Sequence, residues 1–204
     1  MIKETILKVD YQPVTQIDEN RAKLMFKTED VTNPVYKKDD KGEIIVDEDG
    51  NSIIDHYEDT DYCNVLVEYY RGQRTEAAMR KLIEDWYNPE IDAKIQSGFV
   101  WEKPKLGGEP EKYNVWLDAE NRFNFKAAWD LAYQTNGANL PITFKLGMPD
   151  KPVYYTFEEG KMNELQDFYL KATTHVNQCL QEGWQKKEAF DWSLYVDTPV
   201  TEEA

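Results

Sequence analysis

The sequence contains few of the side chains that enzymes use for nucleophilic or metal-dependent chemistry. Its 204 residues include two histidines, His56 and His175, and two cysteines, Cys63 and Cys179. A serine or cysteine hydrolase needs a base, usually histidine, beside its nucleophile, and no GxSxG motif is present. Zinc sites use closely spaced ligands such as HExxH or paired CxxC, and neither occurs. The sequence therefore predicts no catalytic residues, no metal site and no cofactor.

Positive charge and long apolar runs are also scarce. The 39 acidic and 24 basic side chains give a net charge of -15, which opposes broad contact with a phosphate backbone or an anionic membrane. The apolar runs are only a few residues long, whereas a membrane helix needs about 20, and the first residues lack the features of an export signal. Two cysteines without ligand spacing are typical of reduced thiols in the cytosol. We expect no direct nucleic-acid binding and no membrane insertion.

The first 72 residues have the composition of β-structure. Alternating or β-branched residues predict strands over 2–11, 21–28 and 62–70. Between the second and third of these, Asp/Gly turn sequences at 39–42 and 47–51 flank the triplet Ile44-Ile45-Val46, and the pair Ile53-Ile54 follows. This pattern is typical of short strands joined by tight turns, and it predicts a projecting or surface hairpin.

Helical periodicity begins at Thr75, a suitable N-cap, and predicts a helix that ends near Pro89. The residues that follow, 89–97, are compatible with one additional helical turn. A stretch rich in proline and glycine at 103–110 predicts a loop. Beyond this loop the pattern predicts a strand at 113–117, a helix at 123–134 stopped by Asn136-Gly137, strands at 141–146 and 153–157, a long helix from 162 that stops at Gly183, and a last short helix or turn at 184–195.

These elements predict an α+β protein with a β-rich N-terminal part containing hairpins, followed by a compact C-terminal domain of short strands packed with three or four helices. The domain organisation that follows is a β-rich docking arm at 1–72, a connector of helix and loop at 73–110, an aromatic-rich α+β domain at 111–195 and an acidic tail at 196–204.

The acidic hairpin also offers the oxygen ligands that calcium prefers. Five residues fall at the first, third, fifth, ninth and twelfth positions of an EF-hand count: Asp47, Asp49, Asn51, Asp55 and Glu58. However, Ser52 occupies the sixth position, where the sharp turn of such a loop requires glycine, and no helices flank the segment. We interpret the stretch as a hairpin turn.

Aromatic residues are abundant, with six tryptophans, thirteen tyrosines and eight phenylalanines. Such rings fill a small core efficiently, and this is the interpretation that we prefer. The alternative is a platform on which sugar rings stack, as in a carbohydrate-binding module. That function requires a row of two or three solvent-exposed rings.

Several segments of the second half carry a resemblance to a known family. They are Tyr113-Asn114-Val115-Trp116-Leu117-Asp118-Ala119-Glu120-Asn121-Arg122, Phe125-Lys126-Ala127-Ala128, Leu140-Pro141-Ile142-Thr143-Phe144-Lys145, Gly183-Trp184 and Ala189-Phe190-Asp191-Trp192-Ser193-Leu194-Tyr195. The chain resembles, over roughly residues 81–195, an uncharacterised domain family of phage and prophage proteins that are often described as tail or virion components. The family has no established activity, so the resemblance implies a setting and no catalytic residues.

The function predicted from these observations is that of a non-catalytic bacteriophage virion or tail protein, structural or assisting assembly. We expect an oligomer that contacts other phage structural proteins, is assembled in the host cytoplasm and ends in the virion. The predicted interaction residues are Ile44, Ile45, Val46, Ile53 and Ile54 of the hairpin, because an edge hairpin can add strands to a neighbour's sheet. The alternatives are a carbohydrate-binding module for adsorption to the host surface and a small enzyme with paired carboxylates.

Overall fold

The computed structural model describes residues 1–103, 109–148 and 150–197. Within these ranges the chain forms two four-stranded sheets and three α-helices, which confirms the predicted α+β class. The chain divides into two compact units, one made of Met1–Ile83 with Ala189–Ala204 and the other of Glu84–Glu188. Two predicted segments, 104–108 of the loop and 198–204 of the acidic tail, lie outside the described residues.

The first unit is built on an antiparallel sheet. Its strands are β1 (Ile2–Leu7), β2 (Val14–Asp18), β3 (Arg21–Tyr36) and β4 (Ile54–Arg71), in the order β1-β4-β3-β2. Apolar residues of β3 and β4 fill both faces where the four strands overlap, and the buried ones are Ala22, Leu24, Met25, Phe26, Cys63, Val65, Leu66 and Val67. β3 and β4 are 16 and 18 residues long, so they extend well beyond their shorter neighbours.

Residues 189–197 return to this first unit. The ring of Tyr195 stacks on Phe26 at 4.4 Å, and Phe190 meets Phe26 edge to face at 5.8 Å. The Tyr195 hydroxyl donates to the carbonyl oxygen of Met25 at 3.0 Å and lies 2.8 Å from the hydroxyl of Tyr11. The sequence-based division at 111–195 places these residues in the C-terminal domain, because residue patterns carry no signal for a partner about 170 positions away.

The first two residues of the predicted tail are also packed. Asp197 pairs with the Arg74 guanidinium at 2.5 Å and accepts from the Arg74 backbone N–H at 2.7 Å. The Asp197 N–H in turn donates to the Arg74 carbonyl at 2.9 Å. Val196 and Asp197 are therefore part of the first unit, whereas the sequence-based division assigns them to the acidic tail.

Helix α1 spans Glu76–Ser97 and passes through Pro89, so the predicted end near that proline is wrong. A proline inside a helix costs about 3 kcal/mol because it removes one intrahelical hydrogen bond and crowds the preceding turn. Ile83 and Ile95, on either side of it, are buried. Burial of large aliphatic side chains contributes about 1.5–3 kcal/mol each, which offsets the cost of Pro89 and lets the helix continue.

The second unit contains a mixed sheet. Its strands are β5 (Phe99–Lys103), β6 (Glu111–Val115), β7 (Ile142–Met148) and β8 (Lys151–Phe157), in sequential order. β6 and β7 are parallel and are joined by helix α2 (Ala119–Gln134), whereas the two outer pairs are antiparallel. Helix α3 (Met162–Glu188) follows β8.

An aromatic cluster forms the core of the second unit. Trp101 is fully buried and contacts Phe157, Phe168 and Tyr155 with ring centroids 5.1–5.7 Å apart. Phe125 of α2 and Phe144 of β7 complete the cluster at 4.6 Å from one another. Because these rings come from both helices and three strands, they fix the helices against the sheet.

Helix α3 does not stop at Gly183, contrary to the sequence-based prediction, and continues to Glu188. Gly183 is buried, and a Cβ placed on it would lie 2.1 Å from Cδ1 and 2.6 Å from Cγ1 of Ile91 in α1. The glycine is therefore required by the close approach of a neighbouring side chain and does not act as a helix terminator.

We expect Gly183→Ala to lower the free energy of unfolding by about 1 kcal/mol. Overpacking costs about 1–3 kcal/mol, and the better helix propensity of alanine returns up to about 1 kcal/mol. In an Ile91→Ala background the same change should be neutral or stabilising, because the obstructing atoms are gone. Urea unfolding of the four proteins measures this coupling. Gln181→Ala, at an exposed position of α3, is the control, and equal effects of Gly183→Ala in both backgrounds would contradict the packing argument.

We expect Tyr195→Phe to destabilise the first unit by about 1–2 kcal/mol, because the change leaves the buried Met25 carbonyl without its hydroxyl donor. Tyr11→Phe removes only the second contact of the Tyr195 hydroxyl and should cost less. Hydrogen exchange of the β3 and β4 amides reports this unit separately from the other. Equal loss of protection in the two variants would show that the hydrogen bond to Met25 contributes no more to stability than the contact with Tyr11.

Candidate functional site

The far half of the β3–β4 hairpin forms a two-stranded arm, which we define as residues 32–59. Its strands pair from Thr32↔Asp59 to Tyr36↔Ile54. The pairing of β1 with β4 ends at Leu7↔Tyr62, and β2 reaches only Leu24, so neither neighbouring strand covers the arm. Among residues 32–36 and 54–59, all side chains are exposed except that of Val35, which is half-buried.

The tip of the arm, residues 37–53, folds back as three short segments joined by two tight turns. In the first turn Asp39 Oδ1 accepts from the backbone N–H groups of Lys41 and Glu43, both at 2.9 Å. Gly42 supplies the left-handed conformation at φ 85° that the turn needs. The segments are connected by backbone bonds from Ile45 to Lys37 and from Ile53 to Ile45, both 2.9 Å.

The second turn lies eight residues after the first and has the same hydrogen-bond pattern. Asp47 Oδ1 accepts from the N–H groups of Asp49 at 3.0 Å and Asn51 at 2.8 Å, and Gly50 again has φ 85°. The hydrogen bond from the Asn51 backbone is the main reason that the pKa of Asp47 is lowered. The Asp47 carboxylate thus accepts hydrogen bonds within the turn, as the hairpin interpretation expects. Within the described residues, no group of three or more potential ligands is arranged to hold a metal.

The five predicted interaction residues all lie in the tip or at its junction with the arm strands. Ile44 and Val46 are 48% and 53% exposed, Ile45 and Ile54 are also exposed, and Ile53 is half-buried. Successive residues of a strand point to opposite faces, so Ile44 and Val46 share one face of the middle segment and Ile45 lies on the other. The structure adds two exposed rings that the sequence analysis did not single out, those of Tyr36 and Tyr57.

The arm is strongly acidic. Between residues 32 and 59 there are nine acidic and three basic side chains. His56 lies 3.0 Å from Asp55 and 3.6 Å from Glu58, and the hydrogen bond with Asp55 raises the pKa of its imidazole. The arm therefore presents apolar side chains surrounded by negative charge.

A second candidate is a cavity of about 610 Å³ in the second unit, beside Lys103, Tyr155 and Glu164. The Tyr155 hydroxyl donates to Glu164 Oε1 at 2.5 Å. Lys103 Nζ lies 3.2 Å from Glu164 and 5.0 Å from the centre of the Tyr155 ring. Burial raises the pKa of Tyr155 to about 12, and the hydrogen bond with Tyr155 is the largest of the effects that raise the pKa of Lys103.

These shifts are opposite to those that acid–base catalysis uses. A lysine or tyrosine that exchanges protons at neutral pH has a pKa lowered towards 7. Here the lysine is held as a cation and the phenol as a neutral donor, and both are bound to the same carboxylate. The arrangement is that of an ion pair joining β5 and β8 to the first turn of α3.

Helix α3 also brings together a cysteine and a histidine, the residue types of a nucleophile and its base. Cys179 Sγ lies 3.6 Å from Nε2 of His175, one helical turn away. Cys179 is buried, and burial raises the pKa of its thiol, whereas a reactive cysteine needs a lowered pKa. The His175 ring stacks on Phe99 at 5.8 Å. The pair thus has the environment of packed side chains.

The aromatic rings of the second half do not form an exposed row at the place where α2 brings two of them together. Trp129 and Tyr133 lie 6.0 Å apart, but Trp129 is half-buried because it stacks on Tyr169 at 5.9 Å. Tyr133 is the exposed member of this pair, with 71% of its surface open to solvent. Of the tryptophans in this half, Trp101 is buried and Trp184 is exposed.

A third candidate is a groove between α2 and α3, with a volume of about 190 Å³. It is lined by Leu117, Arg122, Phe125, Lys126, Tyr169, Ala172, Thr173 and Val176. This groove was not predicted from the sequence, because it depends on how the two helices are spaced. Its one sequence signal is the i, i+4 pair of cations, Arg122 and Lys126.

Comparison of the chain with family models, curated proteins and solved structures finds no match. The resemblance to phage proteins therefore stays a prediction. No helix of the described residues has the length and apolar character needed to cross a bilayer.

We expect Lys103→Met to lower the free energy of unfolding by about 1–2 kcal/mol, because it leaves the half-enclosed Glu164 without its cation. A raised lysine pKa means that this contribution is present below the pKa of an unfolded lysine and is lost only as pH rises through the folded value. The effect should therefore be constant from about pH 6 to 9. Urea unfolding at several pH values measures it.

Lys112→Met is the matched control, because Lys112 pairs with Glu102 at 3.0 Å while both side chains are more than half exposed. Exposed pairs contribute about 0–1 kcal/mol. Equal destabilisation by the two substitutions would contradict a structural role for the Lys103 ion pair.

Proposed function

We propose that this chain is a non-catalytic structural or assembly protein that acts through protein–protein contacts made by its β3–β4 arm. The setting is a bacteriophage virion or tail, assembled in the host cytoplasm, and the partners are other phage structural proteins. The observation that carries the proposal is the exposure of the arm, whose two strands extend beyond the sheet with large apolar side chains open to solvent.

The physics of a two-stranded ribbon favours a partner for this arm. An isolated hairpin is marginally stable in water, and within the part of the chain that the structure describes neither outer edge of the ribbon has another strand beside it. Such edges bind by adding a strand from a neighbour, while exposed apolar side chains fill pockets in the partner. The acidic residues around Ile44 and Val46 limit indiscriminate association.

The electrostatics of the cavity beside Lys103 and of the Cys179–His175 pair support the non-catalytic part of the proposal. Lys103 and Tyr155 have raised pKa values and share one carboxylate, and the Cys179 thiol is buried with a raised pKa. A general base or a thiolate nucleophile requires shifts of the opposite sign. The support for the phage setting is the resemblance over roughly residues 81–195, in particular the segment from Tyr113 to Arg122.

A carbohydrate-binding module is the alternative function. Tyr133 and Trp184 each expose an aromatic ring on which a sugar could stack. The alternative has less support because Trp129, the ring next to Tyr133, is occupied by Tyr169. A glycan array tests it directly, and binding that is lost in Tyr133→Ala or Trp184→Ala would favour it over the assembly role.

The assembly proposal predicts that the chain forms a stable complex with at least one purified protein of the parent particle and that the arm is required. Ile44→Asp combined with Val46→Asp should weaken binding by about 30-fold or more, because charge replaces two central apolar contacts. Biolayer interferometry against each candidate partner measures the affinity. Circular dichroism checks that the variant is folded.

The matched control is Val100→Asp with Val153→Asp, two valines of the second unit with similar exposure, at 51% and 44%. This control should bind as the unmodified chain does. Absence of binding to every protein of the particle would reject the proposed function, and equal weakening by the two double substitutions would reject the role of the arm.

A further inference from the structure

The α2–α3 groove combines an apolar floor with a cationic rim. Leu117, Phe125, Ala172 and Val176 supply the floor. The charged residues of its lining are Arg122 and Lys126, one helical turn apart on α2, and among the described residues no carboxylate belongs to the lining. In a chain with a net charge of -15, this rim is a local reversal of sign.

The two cations retain capacity for an additional anionic partner. The Arg122 Nε–H donates to the carbonyl oxygen of Asp118 at 3.4 Å. This bond uses one of the five N–H donors of the guanidinium. Lys126 is paired with Asp130 on the exposed surface, and this hydrogen bond raises the pKa of the ammonium group. Exposed pairs of this kind exchange readily, because they contribute about 0–1 kcal/mol.

The volume of the groove suits protein side chains better than cofactors or drug-sized molecules. Pockets that bind cofactors or drug-sized ligands have volumes of about 300–1,000 Å³, whereas this groove has about 190 Å³. A groove of this size fits one or two branched aliphatic side chains projecting from a protein segment. The best complement is therefore an apolar segment with acidic residues directly beside its anchors.

The tip of the arm has this composition. Ile44 and Val46 share one face of the middle segment and are about half exposed, and Glu43 and Asp47 lie directly before and after them in the sequence. We propose that the tip of one copy docks in the α2–α3 groove of a second copy, with Ile44 and Val46 on the apolar floor and the adjacent carboxylates at Arg122 and Lys126. This inference rests on the proposed function and names its partner as the chain itself.

Such a contact has a defined symmetry. The tip and the groove are different surfaces, so each copy contributes one of each and the contact is heterologous. Heterologous contacts build rings when the rotation closes and open chains when it does not. The contact area of a tip in a short groove lies at the low end for specific interfaces, so association in the micromolar range is expected.

Complementation between two defective variants tests the proposal. The arm variant is Ile44→Asp with Val46→Asp, and the groove variant is Arg122→Glu with Lys126→Glu. Sedimentation velocity over about 1–100 µM should show the unmodified chain growing beyond a dimer with concentration, while each variant alone stays monomeric. An equimolar mixture of the two variants should form a one-to-one pair and stop there, because only one intact tip and one intact groove are left.

Lys145→Glu with Lys151→Glu is the control for net charge, since it changes the charge of the chain by the same amount as the groove variant, at two exposed lysines. It should assemble as the unmodified chain does. Three results would overturn the self-docking proposal: an unmodified chain that stays monomeric, a groove variant that assembles normally, or two variants that fail to pair when mixed. The failure of the proposed function is separate, because it requires that the arm bind no other protein of the particle.

Discussion

The antiparallel pairing of β3 with β4 is the constraint on which the first unit depends. The two strands stay in contact from Arg21↔Arg71 to Tyr36↔Ile54, through three register shifts. Where β1 and β2 flank the two strands, these shorter strands and residues 189–197 exclude water, and the side chains of β3 and β4 form a buried core. Further out, no other strand of the described residues lies beside the same ladder. One pair of strands thus supplies both the stable part of the unit and its exposed part, and the difference is set by the lengths of the neighbouring strands.

The second unit solves a different packing problem. Its sheet buries large rings on the face that carries the helices, and the cluster around Trp101 determines how closely α2 and α3 approach the strands. The two helices are held by rings at their inner faces, and Phe125 of this cluster also lines the groove between them. Close approach elsewhere is obtained by removing a side chain, as Gly183 does against Ile91. The groove is therefore a product of ring size and helix spacing and not of any local motif.

Sequence reasoning succeeded where the information is local. The period of the apolar residues predicts the α+β class, and the Asp/Gly pairs at 39–42 and 47–51 predict the tight turns whose side-chain bonds the structure contains. It failed where distant contacts decide. Pro89 and Gly183 are helix breakers by intrinsic propensity, but burial on both sides of Pro89 and the contact with Ile91 outweigh it. The pairing of Tyr195 with Phe26 and of Lys103 with Glu164 has no counterpart in residue spacing.

The return of residues 189–197 to the first unit has a consequence for biosynthesis. Residues 84–188 form a unit of their own, inserted between the parts of the other. A chain leaving the ribosome exposes the whole inserted unit before Tyr195 and Asp197 become available to Phe26 and Arg74. Domains generally fold as units during synthesis. The inserted unit can therefore fold completely before residues 189–197 are available to the sheet of the first unit. The order of maturation is thus the reverse of the order in which the two units begin along the chain.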